Sequence, residues 1–419
     1  MKSKLIILCG ALLAMAMGCR VSHTSSTSPT SEAAIINAKQ QIARQLVAME
    51  TKCKSSDMLL PVTVKRNRYA TAYFKYDDWR SGFFPGTLWY LYELTHDSSL
   101  LNSAKKYTDA LTEAQYLKSH HDIGFIINCS FGNGRRFTDK KRYEGIMVQA
   151  ARSLCTRFRP KAEVIQSWNL DPGSWMGKRG WSCPVIIDNM MNLELLYEAF
   201  KISGDSTFYK VATLHANRTL KEHFRPDGSC YHVIDYNPEN GKVLHRQTAQ
   251  GYADESAWSR GQAWAIYGFT MCYRETGDRR YLSQAIKTFR FMKNHPNMPA
   301  DRIPYWDMDA PEIPTEPRDA SAAAIMASAL YELTTADAAH AKEYKQYADS
   351  IMNSLAMAEY TATPGENGLF VLKHSTGSIP HDNEIDVPLN YADYYYLEAL
   401  KRRQDIERAL YFNGFDRNR

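Results

Sequence analysis

The chain has 419 residues, with 51 Lys and Arg against 46 Asp and Glu, a formal charge of +5 and 44% hydrophobic residues. So mild an excess, with no Lys/Arg cluster, excludes a nucleic-acid face and suits at most a local anion site. Six cysteines besides Cys9 and Cys19 show no CxxC or other close-pair spacing, and no HExxH is present, so zinc ribbons, redox motifs and a metal site are not expected.

The first residues, "MKSKLIILCGALLAMAMGC", place two lysines before an apolar run from Leu5 to Met17 that is too short to span a bilayer comfortably. This reads as an export signal. Ala16, Met17, Gly18 and Cys19 resemble a bacterial lipobox, which predicts cleavage after residue 18 and lipidation of Cys19, with plain secretion as the alternative. Residues 19 to 32 are Ser/Thr-rich and read as a flexible tether. The expected location is the periplasm of a Gram-negative bacterium, with membrane contact only through the lipid. Export is compatible with disulfides, whose pairing the sequence leaves open.

Residues 33 to 419 read as one domain, because a recurring unit runs through them. Segments 88 to 111, 193 to 220, 263 to 292 and 324 to 352 each hold an apolar helix, a short turn and a more polar amphipathic helix. Asp97, Asp205, Asp278 and Asp337 occupy the turns as candidate N-caps, and Gly204 and Gly277 fit C-caps. Weaker pairs at 35 to 56 and 142 to 158, and a C-terminal helix "YADYYYLEALKRRQDIERAL", bring the total to roughly a dozen helices. Stacked hairpins form either an open solenoid or a ring; the expectation is an all-α closed α/α toroid. The inner helices are the ones apolar nearly all round.

Polar and aromatic residues collect in the loops before the inner helices: "DDWRSGFFPGTLW", "SHHDIGF", "VIQSWN", "VIIDNMMNL", "RQTAQGYADESAWSRGQAW" and "IPYWDMDAPEIPTEPRDASAAA". Rings that stack on sugar C–H faces beside carboxylates that move protons suit a carbohydrate site. Two acids stand out. Asp122 precedes Gly124, taken as a residue that tolerates a strained backbone, and Asp188 interrupts the apolar run Val185, Ile186, Ile187 and precedes Met190 and Met191. The structural alternatives are a satisfied loop aspartate for Asp122 and an N-cap for Asp188; Trp89 and Tyr90 fall on helix periodicity and read as core.

Taken together, "HDIGF", "PVIIDNMMNLELL", "GYADESAWSRGQAWAIYG" and "PRDASAAAI" resemble glycoside hydrolase family 88, the unsaturated glucuronyl hydrolases. The resemblance implies an (α/α)6 barrel without cofactor or metal. It also implies a reaction in which the 4,5-ene of a non-reducing-end uronic acid is hydrated at C5, after which the hemiketal opens and the glycosidic bond breaks. Asp188 matches the general acid/base and Asp122 the second essential carboxylate. Trp79 and Phe83 match stacking residues, His121 and Trp168 surround the unsaturated ring, and His232 and Gln250 match hydrogen-bonding partners. Arg260 and Trp264 match the region that binds the substrate carboxylate. Two departures stand out: Ala249 where members often carry histidine, and no aromatic near Gly377. The expected partner is an unsaturated uronic-acid disaccharide or short oligosaccharide. The alternatives are the related unsaturated rhamnogalacturonyl hydrolases of family 105 and a non-catalytic glycan-binding lipoprotein.

Overall fold

The computed structural model describes residues 29–52, 59–65 and 71–416. The expected signal, Cys19 and the tether up to residue 28 lie outside the described residues. The first helix, α1 (Pro29–Lys52), takes in the last four residues assigned to the tether. Proline at a first helical position brings a φ already suited to the helix and needs no N–H acceptor.

Twelve α-helices lie among the described residues. After α1 come α2 (Phe83–Thr95), α3 (Ser98–Asp109), α4 (Ile123–Ile127), α5 (Lys140–Cys155), α6 (Leu193–Ser203) and α7 (Ser206–Glu222). The rest are α8 (Ser259–Thr276), α9 (Arg279–Asn294), α10 (Ala320–Ala336), α11 (Ala341–Leu355) and α12 (Asn390–Asp416). The even-numbered helices contact one another in the order α2, α4 with its continuation to residue 132, α6, α8, α10, α12 and back to α2, so the ring closes. The odd-numbered helices pack outside. In α10 every residue from Ala320 to Tyr331 is buried, whereas α9 buries Tyr281, Leu282, Ala285, Thr288, Phe289 and Met292, one stripe at helical spacing.

Closure is reinforced away from the loops by one buried carboxylate. Glu398 on α12 accepts hydrogen bonds from Tyr90 of α2 (2.8 Å), Tyr267 of α8 (3.0 Å) and Ser328 of α10 (2.6 Å). A buried acid is costly unless its oxygens are occupied, and these three donors from three other helices occupy them. Trp89 is fully buried, with its indole donating to Thr108, in accord with its reading as core.

The hairpin turns follow capping chemistry. Asp97, Asp205 and Asp278 each accept from the backbone N–H two residues on, at 2.9 Å, and Gly204 and Gly277 close the preceding helices at φ 73° and 71°. Asp337 differs. A short 3-10 turn follows it before α11, and its carboxylate holds Tyr344 Oη and contacts His340 Nδ1, both at 2.8 Å. Among the described residues each of the two expected weaker pairs is a single helix, α1 and α5, and residues 53 to 56 of the first pair lie outside the described residues. The five cysteines of the described residues are free.

The strands are few but they position chemistry. β1 (Leu60–Val64) pairs with β2 (Thr71–Phe74), and β3 (Phe158–Arg159) pairs with β4 (Val164–Ile165). An antiparallel sheet joins β5 (Pro184–Ile186), β6 (Val233–Tyr236) and β7 (Val243–Gln247). The β-branched runs "CPVII" and "YHVIDY" supply its first two strands, which lie beside the ring mouth.

Candidate active site

The acids, as the loops suggest, stand at the N-terminal ends of neighbouring inner helices. Asp122 precedes α4, and Asp188 lies in a 3-10 turn (Ile187–Asn192) that feeds α6. Neither carboxylate caps a helix: Asp122 makes no capping bond, and α6 is preceded by Asn192. The two segments abut. A Cβ on Gly124 would lie 2.5 Å from Asn192 Cα, so glycine is required there for close approach, not for the strained backbone expected from sequence. Backbone bonds continue the connection: His121 N–H donates to Ser167 (3.1 Å) and Ser167 N–H to Pro184 (2.9 Å).

Asp188 is 8% exposed, and its Oδ2 is buried with no hydrogen-bond partner. Burial pushes its pKa up to about 7; the Arg260 guanidinium works against that rise, and the negative charge of Asp122 adds to it. A carboxyl in this setting remains protonated near neutral pH, as a general acid requires.

Asp122 is braced from below. His121, fully buried, brings Nε2 to 3.2 Å from Asp122 Oδ1, and burial lowers its pKa to about 4, so the ring is neutral. Asn192 accepts from Phe125 N–H through Oδ1 (2.9 Å), which turns its amide nitrogen toward Asp122 at 3.5 Å. His120 Nδ1 accepts from the Asp122 N–H (3.2 Å), so its 3.6 Å approach to Asp122 Oδ2 is not an ion pair.

His232 reaches Asp188 through the sheet. Ile186 pairs with Val233, and Ile187 N–H donates to the His232 carbonyl at 3.0 Å, so a strand register places a residue 44 positions away beside the acid. Its Nε2 lies 3.8 Å from Asp188 Oδ2. Trp168 packs against Trp181 (5.7 Å between ring centres) and Trp175, and Trp79 against Tyr391 (5.3 Å); both remain partly exposed and able to meet a sugar.

Four expected contacts are reassigned by burial. Phe83 is fully buried among Phe125, Tyr391, Tyr394 and Tyr395, supporting Trp79 and presenting no face to a ligand. His121 lies under Asp122 and not around a sugar ring. Trp264 is fully buried against Phe125 and Tyr395, and its indole N–H lowers the pKa of Asp188. Arg260 is 2% exposed, and its fork donates to Asp319 Oδ2 (2.8 Å) and to the Thr376 and Gly377 carbonyls. These bonds take three of its five N–H groups, and burial keeps the guanidinium from presenting an open fork to a ligand. Arg260 therefore ties α8, α10 and the 376–377 segment together and contributes a long-range charge to Asp188.

Gln250 lines a cleft of about 530 Å³ with Trp168, Trp175, Ser378 and His381. The aromatic that seemed absent near Gly377 comes from another loop: Trp175 lies 4.5 Å from the His381 ring. A side chain at Gly377 itself would run into Glu384, 2.6 Å away. Asn192, Trp175 and His381 are thus site residues that sequence reading missed. The exposed tryptophan in the polar loop "DPGSWMGKRGW" was the one available signal. Among the described residues, no group of three or more His, Cys, Asp and Glu is placed to hold a metal.

A closed ring of six helical hairpins, with a buried acid whose pKa is raised and a second carboxylate at one aromatic-lined mouth, is the architecture of an α/α-barrel glycosidase. The chain belongs to glycoside hydrolase family 88, whose model matches residues 55–412. It is 47% identical over 330 residues to the unsaturated glucuronyl hydrolase of Formosa agariphila, covering 78% of this chain and 80% of that one. It is 33% identical over 357 residues to the unsaturated glucuronyl hydrolase of a Bacillus species, covering 82% and 89%. A crystal structure of an unsaturated glucuronyl hydrolase specific for heparin superposes with a TM-score of 0.84 at 44% identity, over 90% of this chain and 98% of that one.

Proposed function

We propose that this protein removes the unsaturated glucuronic acid from the non-reducing end of lyase-generated glycosaminoglycan oligosaccharides by hydrating its vinyl ether. The observation that carries the reading is Asp188, a buried carboxyl whose pKa is raised to about 7 and whose Oδ2 is free at the mouth beside Asp122.

Protonated Asp188 gives its proton to C4, and positive charge develops over C5 and the ring oxygen. The Asp122 carboxylate, bonded by the Asn192 amide and packed on His121, stabilises that charge and accepts from ring hydroxyls. The Asp188 carboxylate then takes a proton from water as the water adds to C5, which restores the acid for the next turnover. Ring opening of the hemiketal releases the remaining sugar. Trp79 and Trp168 supply stacking faces, and Gln250 a hydrogen-bonding edge.

Purified protein without added metal is expected to abolish the ultraviolet absorbance of an unsaturated glucuronyl disaccharide, since hydration destroys the conjugated alkene. Because the acid must begin protonated, kcat/KM falls as pH rises through about 7, approaching tenfold per pH unit above it. Undiminished absorbance across chondroitin, hyaluronan and heparin disaccharides overturns the assignment.

The residues before the barrel carry a separate reading, in which a lipid on Cys19 holds the enzyme on a periplasmic membrane surface; its support is the lipobox-like "AMGC". Cys19→Ala is expected to move the protein from the membrane to the soluble fraction. Equal fractionation of variant and parent assigns ordinary secretion.

A further inference from the structure

The imidazole of His232 is held in one tautomer by the backbone. Its Nδ1 accepts from the N–H groups of Ala249 (3.0 Å) and Gln250 (3.2 Å), and Thr248 Oγ1 lies 3.4 Å away. A ring nitrogen that receives two amide protons carries none of its own, so the proton of neutral His232 is on Nε2. The ring is confined, because Trp258 packs against it tilted by 41° at 4.4 Å and Trp168 meets it edge-on at 6.4 Å. The residue is 4% exposed. Nε2 and Asp188 Oδ2 are both buried without a partner, 3.8 Å apart, one a donor and the other the proton-transfer atom of the proposed chemistry.

A separation of 3.8 Å is too long for a direct hydrogen bond, but it suits two groups that bind the same oxygen, since an atom about 2.8 Å from each satisfies both. Building on the hydration reading, we infer that His232 is a catalytic residue whose Nε2–H holds the water that adds to C5. The water accepts from Nε2–H through one lone pair and directs one O–H at the Asp188 carboxylate and its other lone pair at C5. One proton passes from water to Asp188, one C–O bond forms, and His232 neither gains nor loses a proton. The lock consists of main-chain amides, so it survives the replacement of the commonly found histidine by Ala249.

Charge supports a neutral donor at this point. Arg260, His223, His381 and Arg179 all disfavour protonation of His232, which burial holds well below the usual histidine range. Asp188 in turn faces Arg260, Asp122, Trp264 and the Cys230 thiol. An imidazolium here would compete with substrate water for Asp188; a neutral N–H orients that water.

The test compares His232→Asn with His232→Gln. The asparagine oxygen can occupy the place of Nδ1, but nothing replaces the far N–H; the glutamine amide restores an N–H near Nε2. His232→Asn is expected to lower kcat by at least about tenfold, the lower end of what a positioned donor contributes, and His232→Gln to recover at least about threefold of it. On an Asp188→Asn background, which cannot turn over, adding His232→Asn is expected to leave the substrate Kd within about threefold, because the donor meets water and not sugar; the same titration shows that the variant is folded. A parental kcat in His232→Asn, a loss confined to Kd, or a glutamine no better than asparagine in a folded protein each overturns the assignment of His232. A parent inactive on unsaturated disaccharides overturns the hydration reading and this inference together.

Discussion

Asp188→Asn is expected to bind substrate like the parent and to turn it over about 10² to 10⁴ times more slowly, the range that acid/base assistance contributes. An amide cannot give a proton to C4 or take one from water, yet it fits the same buried site. The substitution also has a stability signature. The folded pKa of Asp188 lies above its unfolded value, at about 7 against 3.8, so ionisation is harder in the native state. The unfolded chain therefore loses its proton first. The contribution of Asp188 to native stability declines as pH rises from about 4 toward 7, and its full penalty is present above 7. With a shift of about three units, that penalty is on the order of 4 kcal/mol, which the asparagine variant does not carry. Thermal melts at pH 8 and pH 4 check this: a rise in Tm for the variant at pH 8, and little or none at pH 4. Parental turnover would remove Asp188 from the mechanism. A variant less stable than the parent at pH 8 would contradict the buried-acid account.

Asp122→Asn is expected to be severely impaired as well, and the double variant little worse than the worse single one, because residues that act as a unit lose their effect together. Residual activity of Asp122→Asn should also carry its alkaline limb at lower pH than the parent. The Asp122 carboxylate helps hold the Asp188 proton, and its removal lets that proton leave sooner. Steady-state kinetics of the three variants across pH decide the matter. Strictly multiplicative losses would mean two independent defects, and an alkaline limb that stays in place or moves upward would mean that the carboxylates are not coupled.

Asp188 and His232 illustrate how the sequence and the folded structure divide the problem. The sequence places an acid in an apolar run before an inner helix, but the histidine lies 44 positions away. It reaches the acid because Ile186 pairs with Val233, a register that brings the second residue after one strand beside the residue before the next. The short β-branched strands that set this register run for only three or four residues, too few for periodicity to reveal them.

Periodicity and capping are local properties, and they were legible. The apolar inner helices, the single-striped outer ones, the aspartate turns at Asp97, Asp205 and Asp278 and the glycine ends at Gly204 and Gly277 together specify stacked hairpins, and the number of hairpins allows the ring. Asp337 lay beyond that reading because its oxygens are taken by side chains farther along, Tyr344 and His340.

What the sequence determined by itself was the class of protein: a ring of helical hairpins with two acids and a set of aromatic residues in the loops of one end. Only the tertiary structure decided what each of those residues does. Phe83 and Trp264 have the composition of sugar-stacking residues, yet aromatic rings from α4 and α12 pack against both, and they are fully buried. Arg260 has the fork for a carboxylate, but it is buried, and Asp319 and two carbonyls from distant segments take three of its five N–H groups. The physical reason is one of range. A helix repeats because of neighbours three or four residues away, whereas desolvation, hydrogen-bond saturation and the pKa of Asp188 depend on groups that only the closed ring brings within a few ångströms.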